Sequence, residues 1–192
     1  MRFAEIGMPG FSYTGVMKSV SLHSPLDIQA LALAGVQTGG TVDIRDFARV
    51  AQACAGGEPL GAVQWQARAE CRSSVSGEPQ TWLHLDADCV VPLTCQRCLD
   101  TAQIRLRVDR WFRFVPDEAS AVAQDDDCEE DLLVQDAGFT LAALLEDELV
   151  LELPHIARHD SCPTQNLTDA RPEPRPHPFA SLAGYKSGRS GS

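Results

Sequence analysis

Cys95-Gln96-Arg97-Cys98 is the stretch whose residue types and spacing are most specific to a chemistry. Two thiolates at this spacing can clasp a zinc ion from the bend between two strands, as a knuckle. Thiol–disulfide exchange uses the same spacing, but there a helix N-terminus usually lowers the thiol pKa. Here a predicted strand precedes the pair and another follows, which weakens the redox reading. Zinc takes four ligands, and His159 and Cys162 are the best remaining candidates. Together the four would form a Cys3His site. The plainer alternative is two ordinary thiols in a hairpin turn, because a long stretch of chain separates the two pairs.

A second candidate lies on the strand predicted over 104–115. Arg105, Arg107, Trp111 and Arg113 alternate outward there, with Arg97 and Arg110 nearby. Guanidinium groups pair with phosphates and an indole offers a base-stacking platform, so this face is a candidate RNA contact. The alternative is that Glu70, Asp86 or Asp88 neutralises these arginines across the sheet. Glu146, Asp147 and Glu148, with Glu152, are expected on the outer face of a helix, as solubilising charges or a docking surface for a basic partner. They would serve acid–base chemistry only if burial split their pKa values. G-x-S-x-G, P-loop and dinucleotide signatures are absent.

The positioning elements follow from hydrophobic periodicity. Period-two alternation predicts strands over 62–72, 82–93 and 104–115, with Trp65, Leu85 and Leu106 among the core-facing residues. Short connections make these an antiparallel meander with one wet face. A short helical or extended piece is expected over 27–33, closed by Gly35 and Gly39-Gly40. Helices are expected over 42–54, capped by Thr41 or Asp43, and over 141–153, capped by Thr140 and stopped by Pro154. Residues 117–131 carry eight acidic side chains and no basic one, the pattern of a solvated loop. The fold class is therefore α+β: an antiparallel meander, helices packed on one face, and an extended C-terminal tail. Three regions are expected: a flexible extension over 1–23, the folded domain over 24–163 and a Pro-rich tail over 164–192.

The net charge is −11, so diffuse binding along nucleic acid is disfavoured and any RNA contact must be local or made through a protein. Seven cysteines, an odd number, without an evident secretion signal, argue for reduced thiols and a cytoplasmic protein. No apolar run approaches the ~20 residues of a membrane helix.

Three separated segments together resemble the YceD family, the large ribosomal RNA subunit accumulation proteins. They are Leu93-Thr94-Cys95-Gln96-Arg97-Cys98-Leu99, the acidic, leucine-rich stretch Asp136–Cys162 with its Leu153-Pro154 stop, and Pro178-Phe179-Ala180-Ser181-Leu182-Ala183 with Lys186. The resemblance spans residues 24–186 and implies a non-catalytic role in the synthesis, processing or stability of large-subunit (23S) ribosomal RNA. The expected partner is precursor RNA or an early assembly particle, met directly or through a ribosomal protein or processing factor. The partner-docking residues would be Glu146, Asp147, Glu148, Pro178, Phe179 and Leu182. Two rivals stand beside this reading: an acidic protein-only adaptor, and a zinc- or thiol-dependent enzyme built on Cys95 and Cys98.

Overall fold

The computed structural model describes residues 16–17, 20–58, 60–74, 77–125 and 128–162. Six strands form one sheet in sequence order: β1 (Val16–Met17), β2 (Val36–Asp43), β3 (Ala62–Ser73), β4 (Pro79–Thr94), β5 (Thr101–Val115) and β6 (Asp131–Val134). The four central strands pair antiparallel, as the alternation requires, while β1 joins β2 and β6 joins β5 in parallel. The class is α+β.

Helices α1 (Ile28–Leu33), α2 (Ala48–Ala53) and α4 (Leu141–Leu151) contribute to one apolar core against the sheet. Trp65 and Ala67 of β3, Leu83 and Leu85 of β4 and Leu106 and Phe112 of β5 supply its sheet side. Leu141, Leu144, Leu145 and Leu149 recur at helical spacing and supply the α4 side. Thr140 caps α4, its hydroxyl accepting from the Ala143 N–H at 3.2 Å, and Asp27 caps α1 in the same way through Ala30.

Four expectations change. The helix expected over 42–54 is a strand end, a 3-10 turn at Ile44–Asp46 and then α2; Asp43 caps the turn rather than a long helix. Gly39 and Gly40 do not close a turn but lie inside β2. A Cβ on Gly39 would stand 2.8 Å from the Trp65 carbonyl oxygen, so only glycine lets the two backbones approach there. The acidic stretch 117–131 contains regular elements rather than only a loop: Asp117 caps α3 (Glu118–Gln124), and Asp131 opens β6. Finally, packing begins before residue 24, because β1 pairs with β2 and Leu22 sits in the core.

Candidate functional site

The β4–β5 connection, Cys95–Asp100, is a tight knuckle. The Cys95 N–H donates to the Asp100 carbonyl at 2.9 Å, and the Leu99 N–H donates to the Cys95 carbonyl at 2.9 Å. Closing the turn puts Leu99 at φ 66°, a left-handed conformation that disfavours a side chain. The backbone thereby aims the N–H groups of Cys98 and Arg97 at the Cys95 sulfur. These donors hold the Cys95 thiol down at about 5. Donors that stabilise a thiolate also suit a metal-bound sulfur.

The segment after α4 returns to this knuckle. The Gln96 N–H donates to the Ala157 carbonyl at 2.9 Å, and the ring of His159 lies between the knuckle and the start of β5. His159 Nε2 is 3.0 Å from the Thr101 carbonyl oxygen. A carbonyl can only accept, so Nε2 carries the proton and the Nδ1 lone pair faces Cys98 Sγ, 3.5 Å away. Cys162 Sγ lies 4.0 Å from Cys95 Sγ. The four candidate ligand atoms, from Cys95, Cys98, His159 and Cys162, all lie within 4.8 Å of one another. A tetrahedral zinc with bonds of about 2.0–2.3 Å holds its ligand atoms about 3.5–4 Å apart, close to this spacing. The electrostatics point the same way. Burial, followed by the neighbouring thiols, pushes Cys162 up to about 11, and the Cys95 thiolate raises His159. A cation at the centre would favour the thiolate at Cys162 that burial and the neighbouring thiols disfavour. The sequence-expected Cys3His set is therefore assembled, with donors that fit zinc; the arrangement could bind a metal.

The arginine strand is more divided. Arg97, Arg105 and Arg107 are exposed and Trp111 is half-buried on the outer sheet face. Arg105 pairs with Asp88 at 2.7 Å, the cross-strand neutralisation weighed as the alternative. Arg113 does not point into solvent. Only 6% exposed, it is bonded to Glu130, just before β6, and to Gln124 of α3, both at 2.5 Å. Arg110 lies in the core-facing phase of β5, opposite Leu85, and reaches Asp131 at 3.1 Å and Glu148 at 3.1 Å.

That contact also corrects the reading of α4. Glu148 is 5% exposed and faces the sheet, because the helix turns it inward beside Leu144, Leu145 and Leu149 to meet Arg110. Burial raises its pKa. Glu146 accepts from the Arg49 N–H at 2.8 Å, and Asp147 pairs with the Arg49 guanidinium at 2.6 Å. Glu146 and Asp147 thus tie α4 to α2 instead of forming a free acidic face. Pro178, Phe179 and Leu182 lie outside the described residues. What sequence reasoning missed is a cluster beside Trp111, made of Arg68, Arg72, Trp82 and His84. Its signal was available: Trp82 and His84 alternate with Leu83 and Leu85, and stand directly opposite Arg113 and Trp111.

No helix among the described residues is long and apolar enough to cross a membrane. No curated protein matches the chain, and no solved structure matches it. One protein family does, described as the large ribosomal RNA subunit accumulation protein YceD, over residues 83–185. The matched segment begins in β4, so β1 to β3, α1 and α2 precede it, a narrower span than the motifs suggested. It contains the whole Cys3His cluster and more than half of the chain. On that match the chain belongs to the YceD family of large ribosomal RNA subunit accumulation proteins.

Proposed function

We propose that this protein is a non-catalytic factor that supports large-subunit (23S) ribosomal RNA during ribosome biogenesis, with zinc serving as a structural clasp. The observation that carries this reading is the closed donor set. Cys95, Cys98, His159 and Cys162 supply four ligands from the chain itself, and a catalytic zinc keeps a position open for water or substrate. The zinc- or thiol-enzyme reading therefore loses support. So does the adaptor reading in its original form, since Arg49 engages Glu146 and Asp147 and the core takes Glu148.

The clasp would pin the segment after α4 to the β4–β5 knuckle. This keeps the sheet's outer face and the end of α4 in one fixed relation, as expected of a scaffold on precursor RNA or an early assembly particle. Affinity purification of the full-length chain from cells, with and without nuclease, tests the reading. Recovery of large-subunit precursor RNA that disappears with nuclease is the expected result. Protein partners recovered at undiminished yield after nuclease, with no precursor RNA in either sample, would replace this reading with the protein-only adaptor.

A further inference from the structure

The outer face of the sheet carries an aromatic and cationic cluster at one end and, toward β2, a groove with amide and carboxylate side chains in its lining at the other. At the first end, His84 stacks on Trp111 with ring centres 4.5 Å apart, and Trp82 meets Trp111 edge-on at 6.3 Å. The Arg72 guanidinium sits 3.9 Å from the centre of the Trp111 ring and 4.4 Å from that of Trp82, and Arg68 lies 5.0 Å from Trp111. All three aromatic side chains are only half-buried. At the other end, Gln37, Gly39, Gln64, Gln66, Asp86 and Asp88 help to line a groove of about 300 Å³. Gly39 lacks the side chain that would narrow it.

We propose that this face binds single-stranded RNA, with bases stacked on Trp82 and Trp111 and base edges read by the amide and carboxylate groups of the groove. The proposal rests on the large-subunit RNA reading above and adds where, and through which chemistry, the chain touches RNA. Stacking on Trp82 and Trp111 requires the Arg72 guanidinium, which lies over both rings, to move aside toward a phosphate. Arg68 and Arg72 supply the cations, and Arg107 extends them on β5. Amides donate to and accept from exposed base edges, and a carboxylate accepts, as Asp86 can from an exocyclic amine. Two other carboxylates on the face already have cationic partners, Glu70 with Arg68 and Arg72 and Asp88 with Arg105, and Asp109 is hydrogen-bonded to His84. The surface is therefore near neutral as a whole, and it selects unpaired bases by stacking more than a duplex by charge. An acidic chain can hold RNA in this manner without gathering it indiscriminately.

Intrinsic fluorescence of the full-length protein tests the proposal, because Trp65 is in the core and Trp82 and Trp111 are on this face. A mixed-sequence single-stranded RNA of about a dozen nucleotides should quench the emission. Trp111→Ala and Arg72→Gln should each weaken binding about tenfold, with only a shallow dependence on salt. Asp86→Asn should change the preference between cytosine-rich and uracil-rich strands, and an unchanged preference would overturn the base-reading role of the groove. Unchanged emission together with wild-type RNA affinity in Trp111→Ala would overturn the site while leaving the large-subunit RNA reading in place. Quenching by oligolysine and not by RNA would overturn it in favour of a basic protein partner.

Discussion

At Leu99 the backbone takes a left-handed turn that costs a leucine roughly 1–2 kcal/mol relative to an ordinary conformation. Such a residue persists where its surroundings require it, and here the requirement is the aim of two N–H groups at Cys95. The four candidate ligands were legible in the sequence because cysteine and histidine pairs at short spacing are uncommon and zinc demands four. Their convergence was not legible, since it depends on the return of the chain after α4. Neither was the His159 tautomer, which the Thr101 carbonyl sets. The residue-level prediction is one zinc per chain in protein purified without added metal, read by elemental analysis. Cys98→Ser should lower zinc affinity by more than about 100-fold, a larger loss than is typical of removing an outer partner. Native protein free of metal in zinc-replete medium would contradict the clasp.

Between elements, two residues that break their own patterns explain each other. Arg110 interrupts the apolar phase of β5 and Glu148 interrupts the apolar face of α4, and the two meet across the core boundary. A sequence pattern treats each as a surface charge, so Glu148 was placed on the outer face of α4 and the core-facing phase of Arg110 went unread. Burial raises the Glu148 pKa above the ordinary carboxylate value of 4.5, which fixes the sign of the effect. The folded state then holds the proton more tightly than the unfolded chain. Its contribution to stability is fully present below 4.5 and is lost as the pH rises through the folded-state value. Glu148→Gln, which mimics the protonated form, should therefore be at least as stable as the parent at pH 7, with a flatter pH profile above 4.5 in urea denaturation. Arg110 keeps Asp131 as a partner in that variant. A loss of more than about 2 kcal/mol at pH 7 would show that the ion pair outweighs its desolvation. In β2, Gly39 was misread as a turn because glycine signals turns and close approaches alike. Gly39→Ala should cost about 1–3 kcal/mol by the same measurement, because the added carbon meets backbone that cannot swing aside. Wild-type stability would mean that β2 and β3 are more loosely paired there.

For the molecule as a whole, the central meander was legible because β3, β4 and β5 are long and alternate cleanly. The parallel edges were not, since β1 has two residues and β6 four, too few for a pattern of their own. The outer face was half legible: its arginines announced themselves, but the third dimension decides that Arg113 is covered and that Arg72 lies against two indoles. What emerges is an acidic α+β protein whose Cys95, Cys98, His159 and Cys162 lie close enough together to hold a metal and whose membership of the YceD family ties it to large-subunit RNA. The most direct test is the ratio of large- to small-subunit ribosomal RNA in cells depleted of the protein, measured again after complementation with wild type or Cys98→Ser. A fall in that ratio on depletion, recovery with wild type and failed recovery with the variant are expected. An unchanged ratio on depletion would contradict the large-subunit RNA role.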